Sequence, residues 1–563
     1  MVRAVDNCAP RRLETRVFRS SFLTTDHKTI GLRYLWLALL SVFVGMITSL
    51  VMRIQLFWPG PHLTASPGAY ASLTLLHGSL MVFVVLTCAP QAGFGTYFLP
   101  AQIGAAEMAF PRLTRLGFWL TVASVIGMIA AFFYVPKIGL TLWLVSVFVF
   151  CLGAALNALN FAVTTVDLRA KGMSLPRLPI TAWAWFINAV LGLLIFSVLM
   201  GACLLLLIDR AAAAHFFANS GDAAISPLTT WQRVFWFFTQ AQVYLAILPC
   251  FGIVTHLVAT FARKPVFAHR GVILALCAVG VTSFWIWGEH NFVAGLNPYS
   301  PLLFSMFALS LGAPSSILLI SWFGTLWSAK PRFSSAMLFS LGFVSLFVSG
   351  GLTGLLLSRA RFAVHSVADD LVTGHYHLVM GVAATFAMLA ALFFWFPKMF
   401  GRALSERLGK THFWLTFGGV YLLFIPMHWL GLISHFAHPA GQAAVSSLVT
   451  VLQLCITFAT VVTISAQAIF VLNIAVTLLR RAEARDTNPW RAASLEWAAT
   501  TPARMAGELA VHRGAYEFLP AGITYNNDDF LPQYAPSLIP SAETHPPCPP
   551  VSTPGSLDPL GST

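Results

Sequence analysis

The chain has 563 residues, 57% of them hydrophobic and 9% charged, with a mean hydropathy of +0.77. Soluble domains carry about 25% charge, so this composition excludes a water-soluble enzyme and predicts an all-α, polytopic membrane helix bundle with the lipid bilayer as its solvent. The net charge of +13 raises nucleic acid as a partner, but the basic residues fall mostly in short loops between apolar runs, where they report topology, so no nucleic-acid partner is expected.

In chain order, residues 1–29 read as a cytoplasmic N-terminal segment. Arg3, Arg11, Arg12, Arg16 and Arg19 precede the first apolar run with no cleavage-like site. Residues 30–480 hold about twelve apolar segments long enough to span, with cores near 31–52, 70–99, 116–135, 139–165, 180–207, 230–260, 271–288, 301–327, 334–357, 371–397, 412–433 and 446–479. Loops on one side carry Arg112, Arg115, Arg169, Lys171, Lys398 and Lys410 among others, whereas the opposite loops carry only Arg53, Lys137, Arg210, Arg233, Arg359 and Arg361. That asymmetry predicts both termini inside, in a bacterial-type cytoplasmic membrane. Residues 481–563 are rich in Pro, Ser and Thr and read as a cytoplasmic tail, partly disordered. The eight cysteines are scattered without a Cys-x-x-Cys pair, so no disulfide framework, thiolate metal site or covalent haem attachment is expected.

Within the tenth segment lies Gly374-His375-Tyr376-His377. A helix turns about 100° per residue, which sends His375 and His377 to opposite sides. Imidazole at that depth is costly without a partner and is a good axial ligand for haem iron. Such a helix can stand between two haems and ligate one of each. The bland alternative is a pair of hydrogen-bonded core histidines.

Further landmarks fall in order along the chain: TTDHKTIG at 24–31, HGSLMVF at 77–83, GFGTYFLP at 93–100, IGAAEMAFPRL at 103–113, FWFF at 235–238, VYLAILPCFGI at 243–253, NPW at 488–490 and LEW at 495–497. With the His-Tyr-His run, they resemble the catalytic subunit I of the haem–copper oxidase superfamily, close to its cytochrome c oxidase branch. The resemblance runs from Thr24 to Trp497. It implies two haems: His77 and His377 as axial ligands of a low-spin haem, and His375 as the sole protein ligand of a high-spin haem. Two ligands make an electron-transfer haem, while one leaves a position for a gas. It also implies a second subunit carrying a cytochrome or dicopper electron-entry site, and an electron donor such as cytochrome c.

The chain departs from this family at the second metal. Oxygen reductases hold copper there with three histidines, one in a His-Pro-Glu-Val-Tyr run and two adjacent at the end of the seventh segment. Here the runs read Gln240-Ala241-Gln242-Val243-Tyr244 and Gly288-Glu289-His290-Asn291. The implied metal ligands Gln240, Glu289 and His290 form an oxygen-rich set that suits non-haem iron better than copper, and nitric-oxide reductases of the superfamily resemble that choice. The alternative is an empty second site, with Glu289 protonated or bonded to Gln240. Glu289 and Tyr244 are the candidate catalytic side chains. Tyr244 sits one turn from Gln240 on the same face, but the family's tyrosine–histidine crosslink cannot form to a glutamine. The proton path is altered too. Glu107 and Ser315 survive, whereas Gln242 replaces a carboxylate, Leu318 a lysine, Thr96 an asparagine and Ala437-His438 an arginine pair. A pump needs groups that load and release protons in mid-membrane, so weak or absent pumping is expected.

The sequence therefore leans to an oxidoreductase that couples two NO molecules to N2O. An oxygen-reducing cytochrome c oxidase subunit I with a modified copper site, and a non-catalytic haem-carrying paralogue, are the alternatives.

Overall fold

Water is absent from a bilayer core, so each crossing segment must satisfy its backbone bonds within itself, and every predicted segment is a helix. The computed structural model describes residues 23–57, 67–134, 136–212, 216, 227–286, 300–359, 370–436, 442–480, 488–498, 510–516 and 533. The passes are α1 (His27–Phe57), α2 (Gly68–Ile103), α3 (Pro111–Phe132), α4 (Pro136–Asp167), α5 (Ile180–Ala212) and α6 (Pro227–Ala262). The second half holds α7 (His269–Ile286), α8 (Pro301–Leu326), α9 (Ser335–Leu357), α10 (Asp370–Phe400), α11 (Glu406–Phe436) and α12 (Gln442–Leu479). Eleven are long and apolar enough to cross a membrane, and α7 is a shorter apolar helix. The chain is thus an integral membrane helix bundle.

Consecutive helices pack as antiparallel neighbours, most extensively α3 on α4, α4 on α5, α5 on α6 and α11 on α12. The most enclosed spans are α2, α6 and α10, with 56%, 100% and 72% of their central windows buried, against 22% for α1 and 17% for α12. The three helices that carry His77, Tyr244 and the His-Tyr-His run are therefore shielded from lipid by the others.

Two enclosed helices depart from α geometry beside their histidines. In α2, Leu80–Gly93 is π-helical, and Thr87 and Cys88 bond carbonyls five residues back, at Val82 (2.7 Å) and Phe83 (3.4 Å). In α10, His377–Gly381 is π-helical. Such turns insert a residue into the helical register and recur at functional sites.

Several charges expected in loops lie in helices instead, among them Arg112 and Arg115 in α3, Lys137 in α4, Arg210 in α5 and Lys410 in α11, and two more are buried. Arg53 is in α1, 7% exposed, and donates to Gln453 of α12. Lys398 is buried in the last turn of α10, its ammonium on the Trp497 carbonyl at 3.3 Å. Both are positioned by partners distant in sequence.

The described parts of the C-terminal tail form a strap across the bundle end that carries the α2–α3, α4–α5 and α6–α7 turns. Trp490 donates to the Phe394 carbonyl (2.8 Å), and Val511 N–H donates to Lys171 (2.9 Å). Fully buried Gln533 ties Ala493 and Leu495. Gly172, at φ +84°, lies under it, where a Cβ would come within 2.1 Å of the Val511 oxygen.

At the same end, Asp26 caps α1 by accepting from Thr29 N–H (3.0 Å) and Thr29 Oγ1 (2.6 Å). Burial raises its carboxyl, but these bonds outweigh it and hold the group below its ordinary 3.8. A depressed carboxylate contributes stability above its unfolded value and loses it as pH falls through the folded one. Asp26→Ala is expected to cost about 1 kcal/mol at neutral pH. In thermal unfolding of the detergent-solubilised protein, the gap to wild type closes in acid.

Candidate functional site

Imidazole in an apolar span must place both ring nitrogens. A backbone carbonyl only accepts, so a ring nitrogen bonded to one carries the hydrogen, and the other nitrogen keeps its lone pair. His77 Nδ1 donates to the Gly45 carbonyl of α1 at 2.9 Å. His375 Nδ1 donates to the Gly350 carbonyl of α9 at 3.0 Å, with Thr353 Oγ1 3.1 Å away. His377 Nδ1 donates to the Thr373 carbonyl, one turn back, at 2.7 Å. All three rings therefore present an unprotonated Nε2, the form that binds a metal, with the orienting bond that metal-ligating histidines require.

The two histidines of α10 face different helices, as their spacing predicts. His375 lies against α9, close enough to Gly354 that a Cβ there would sit 3.0 Å from its Cε1. His377 stacks on Phe424 of α11, with centroids 5.1 Å apart and planes at 23°. His77 and His377 are within electrostatic reach of each other. All three rings keep intermediate exposure within enclosed spans, which means they border internal space.

Sequence reasoning missed a fourth imidazole. His428 of α11 is buried, donates Nδ1–H to the Phe424 carbonyl (2.6 Å) and leaves Nε2 without a hydrogen-bond partner. It packs on Gly374, where a Cβ would lie 2.7 Å from its Cε1. The glycine preceding His375 is thus the seat of a neighbouring ring. A further missed feature is an apolar cleft of about 130 Å³ between α1, α2, α10 and α12, lined by Leu39, Phe43, Val85, Leu389, Phe396 and Phe470 among others.

The second-metal residues are less fully placed. Tyr244 is buried on α6. Gln240 lies on the same helix with its side chain outside the described residues, as are Glu289, His290, Ala437 and His438. Among the described residues, no three His, Cys, Asp or Glu side chains converge as a metal site.

Of the residues expected near a proton path, buried Gln242 turns its amide to α2, reaching the Val82 carbonyl (3.3 Å) and Thr87 Oγ1 (3.4 Å). Leu318 is 0% exposed. One turn on, Trp322 Nε1 donates to Thr255 Oγ1 at 2.8 Å. Ser315 is half-buried on α8, and Glu107 is exposed after α2, lining a pocket with Asp167. Thr96 is buried with its hydroxyl unpartnered.

These observations define a class: a polytopic helical membrane protein whose central spans carry imidazoles in the metal-ligating tautomer, turned toward internal space. The chain belongs to the haem–copper oxidase subunit I family, whose model, described as "Cytochrome C and Quinol oxidase polypeptide I", matches residues 29–466. It is 35% identical over 559 residues to an "Alternative cytochrome c oxidase subunit 1" of Bradyrhizobium diazoefficiens, covering 91% of this chain and 92% of that one. It is 35% identical to a "Cytochrome c oxidase subunit 1" of Synechocystis sp., covering 88% and 90%. The fold is similar to a solved heme-copper terminal oxidase dimer, with a TM-score of 0.67 at 15% identity over 88% of each chain. Members are membrane oxidoreductases that carry haems.

Gly374→Ala is expected to overpack the α10–α11 contact, at about 1–3 kcal/mol. Thermal unfolding checks this, and combining it with His428→Ala should recover part of the loss.

Proposed function

We propose that the chain is the catalytic subunit of a respiratory membrane reductase that reduces NO to N2O with little or no proton pumping. His77 and His377 would hold a low-spin haem and His375 a high-spin haem, which together would supply electron transfer to a gas; Gln240, Glu289 and His290 would hold a second metal, iron. Both chain ends lie on the inside, and a second subunit accepts electrons from a donor such as cytochrome c.

The haem assignment rests on the shared tautomer: each ring has Nδ1 fixed by a carbonyl and Nε2 open. Bound haem supplies one-electron transfer and an open coordination position for a gas. The protein's own part is to fix ring orientation through Gly45, Gly350 and Thr373, and to exclude water by the packing of α2, α6 and α10.

The observation that carries the substrate is the state of the proton stations. Gln242 spends its amide on α2, and Leu318 fills its site with hydrocarbon. Neither can hold a proton. Coupling two NO molecules consumes two electrons and two protons and yields N2O and water. Reducing O2 to two waters consumes four of each. A chain without these two mid-span proton carriers fits the smaller demand. The names of the relatives favour the second reading, reduction of O2 at a modified centre.

The purified complex is expected to turn over NO anaerobically and to contain about one non-haem iron per two haems. Copper at that level, with oxygen uptake on an electrode, would overturn the substrate assignment. His77→Ala and His377→Ala should each abolish the low-spin haem absorption band, and an unchanged spectrum would refute the ligand assignment.

A further inference from the structure

The strap end of the bundle encloses titratable groups that gas reduction does not use. His256 lies on α6, six residues or roughly 9 Å from the helix end, and is 0% exposed. Two strap residues reach it from opposite edges of the ring. Tyr516 Oη lies 2.6 Å from Nδ1, and Glu496 Oε1 lies 3.4 Å from Nε2. Glu496 is also 0% exposed. Its Oε1 accepts from Gln102 Nε2 (3.3 Å) and Trp395 Nε1 (3.4 Å), while Oε2 has no hydrogen-bond partner. Gln102 is held in turn by Thr181, whose hydroxyl donates to it at 2.6 Å.

An ionised carboxylate at this depth is costly unless compensated. Burial raises the Glu496 carboxyl, but the hydrogen bond and charge of His256 outweigh it and hold it below its ordinary 4.5. The carboxylate is therefore the standing charge that His256 faces. Burial pushes the Tyr516 phenol well up, and its oxygen also bonds the backbone of Ile180. With that oxygen engaged, the hydroxyl hydrogen is directed at His256 Nδ1, while Nε2, which has no hydrogen-bond partner, faces Glu496 at ion-pair distance.

We propose that His256, Glu496 and Tyr516 form a proton-binding site closed by the C-terminal strap. One proton from water binds at Nδ1 of His256. The Tyr516 hydrogen turns away, its oxygen becomes an acceptor, and the imidazolium pairs with Glu496. The strap supplies both flanking groups, so a proton at His256 tightens strap docking.

Other charges face the site from the neighbouring helices. Lys398 of α10 holds the Trp497 carbonyl, Arg263 at the end of α6 holds those of Trp490 and Arg491, and Arg177 reaches that of Val511. His269 of α7, with its ring centroid 6.1 Å from that of Tyr516, is the neighbouring imidazole and the control.

Hydrogen exchange of the full detergent-solubilised complex tests this, followed by mass spectrometry on peptides covering 490–498 and 510–516 and corrected for intrinsic rates. In wild type, strap protection is expected to rise several-fold as pH falls through the histidine range, about 8 to 5. His256→Gln and Glu496→Gln should abolish that dependence. Tyr516→Phe should keep it with the midpoint raised by roughly half to one unit, because the proton no longer competes with a hydroxyl for Nδ1. His269→Gln should leave it unchanged. Protection that does not vary with pH in wild type, that varies equally in His256→Gln, or that is lost in His269→Gln would overturn the proposal.

Discussion

The architecture depends on one demand: an imidazole in a span without water must surrender one nitrogen's hydrogen to a fixed acceptor. The bonds from His77 to Gly45 and from His375 to Gly350 meet it across helix contacts, so α1 must approach α2, and α9 must approach α10, at backbone distance. Glycine makes that approach feasible. A Cβ on Gly350 would lie 2.5 Å from Val379 Cγ2, and one on Gly31 2.9 Å from the Gly93 carbonyl. The close crossings, the enclosure of the central spans and the open Nε2 atoms are one solution to the same constraint.

Much of this was legible in the residues. Apolar runs of bilayer length fix the passes, because a lipid-facing chain has few other ways to satisfy its backbone. The His-Tyr-His spacing gave opposed directions, and α9 and α11 receive the two rings accordingly. The π turns were not legible, since bonding to the fifth residue back leaves no mark in hydropathy. The place of Arg53 was hidden because its partner is 400 residues away. The strap was hidden by averaging. A tail rich in Pro and Ser reads as solvated, yet Leu495, Glu496 and Trp497 are all buried, and Tyr516 meets a histidine 260 residues upstream.

At the two positions proposed on a proton path, the structure accommodates uncharged side chains. Gln242 has no use for mid-span ionisation, but its amide reaches a carbonyl and a hydroxyl of the π segment. Leu318 occupies its site with no polar atom to satisfy. Neither side chain leaves a buried charge among the helices around it. The one carboxylate wholly enclosed among the described spans and strap, Glu496, is instead surrounded by donors.

The strap also bears on biogenesis. Gln102, His256 and Trp395 enter the membrane well before the ribosome reaches Glu496, so an incomplete chain holds them without their acceptor. A chain that stops short of Glu496 keeps these polar atoms open at that end.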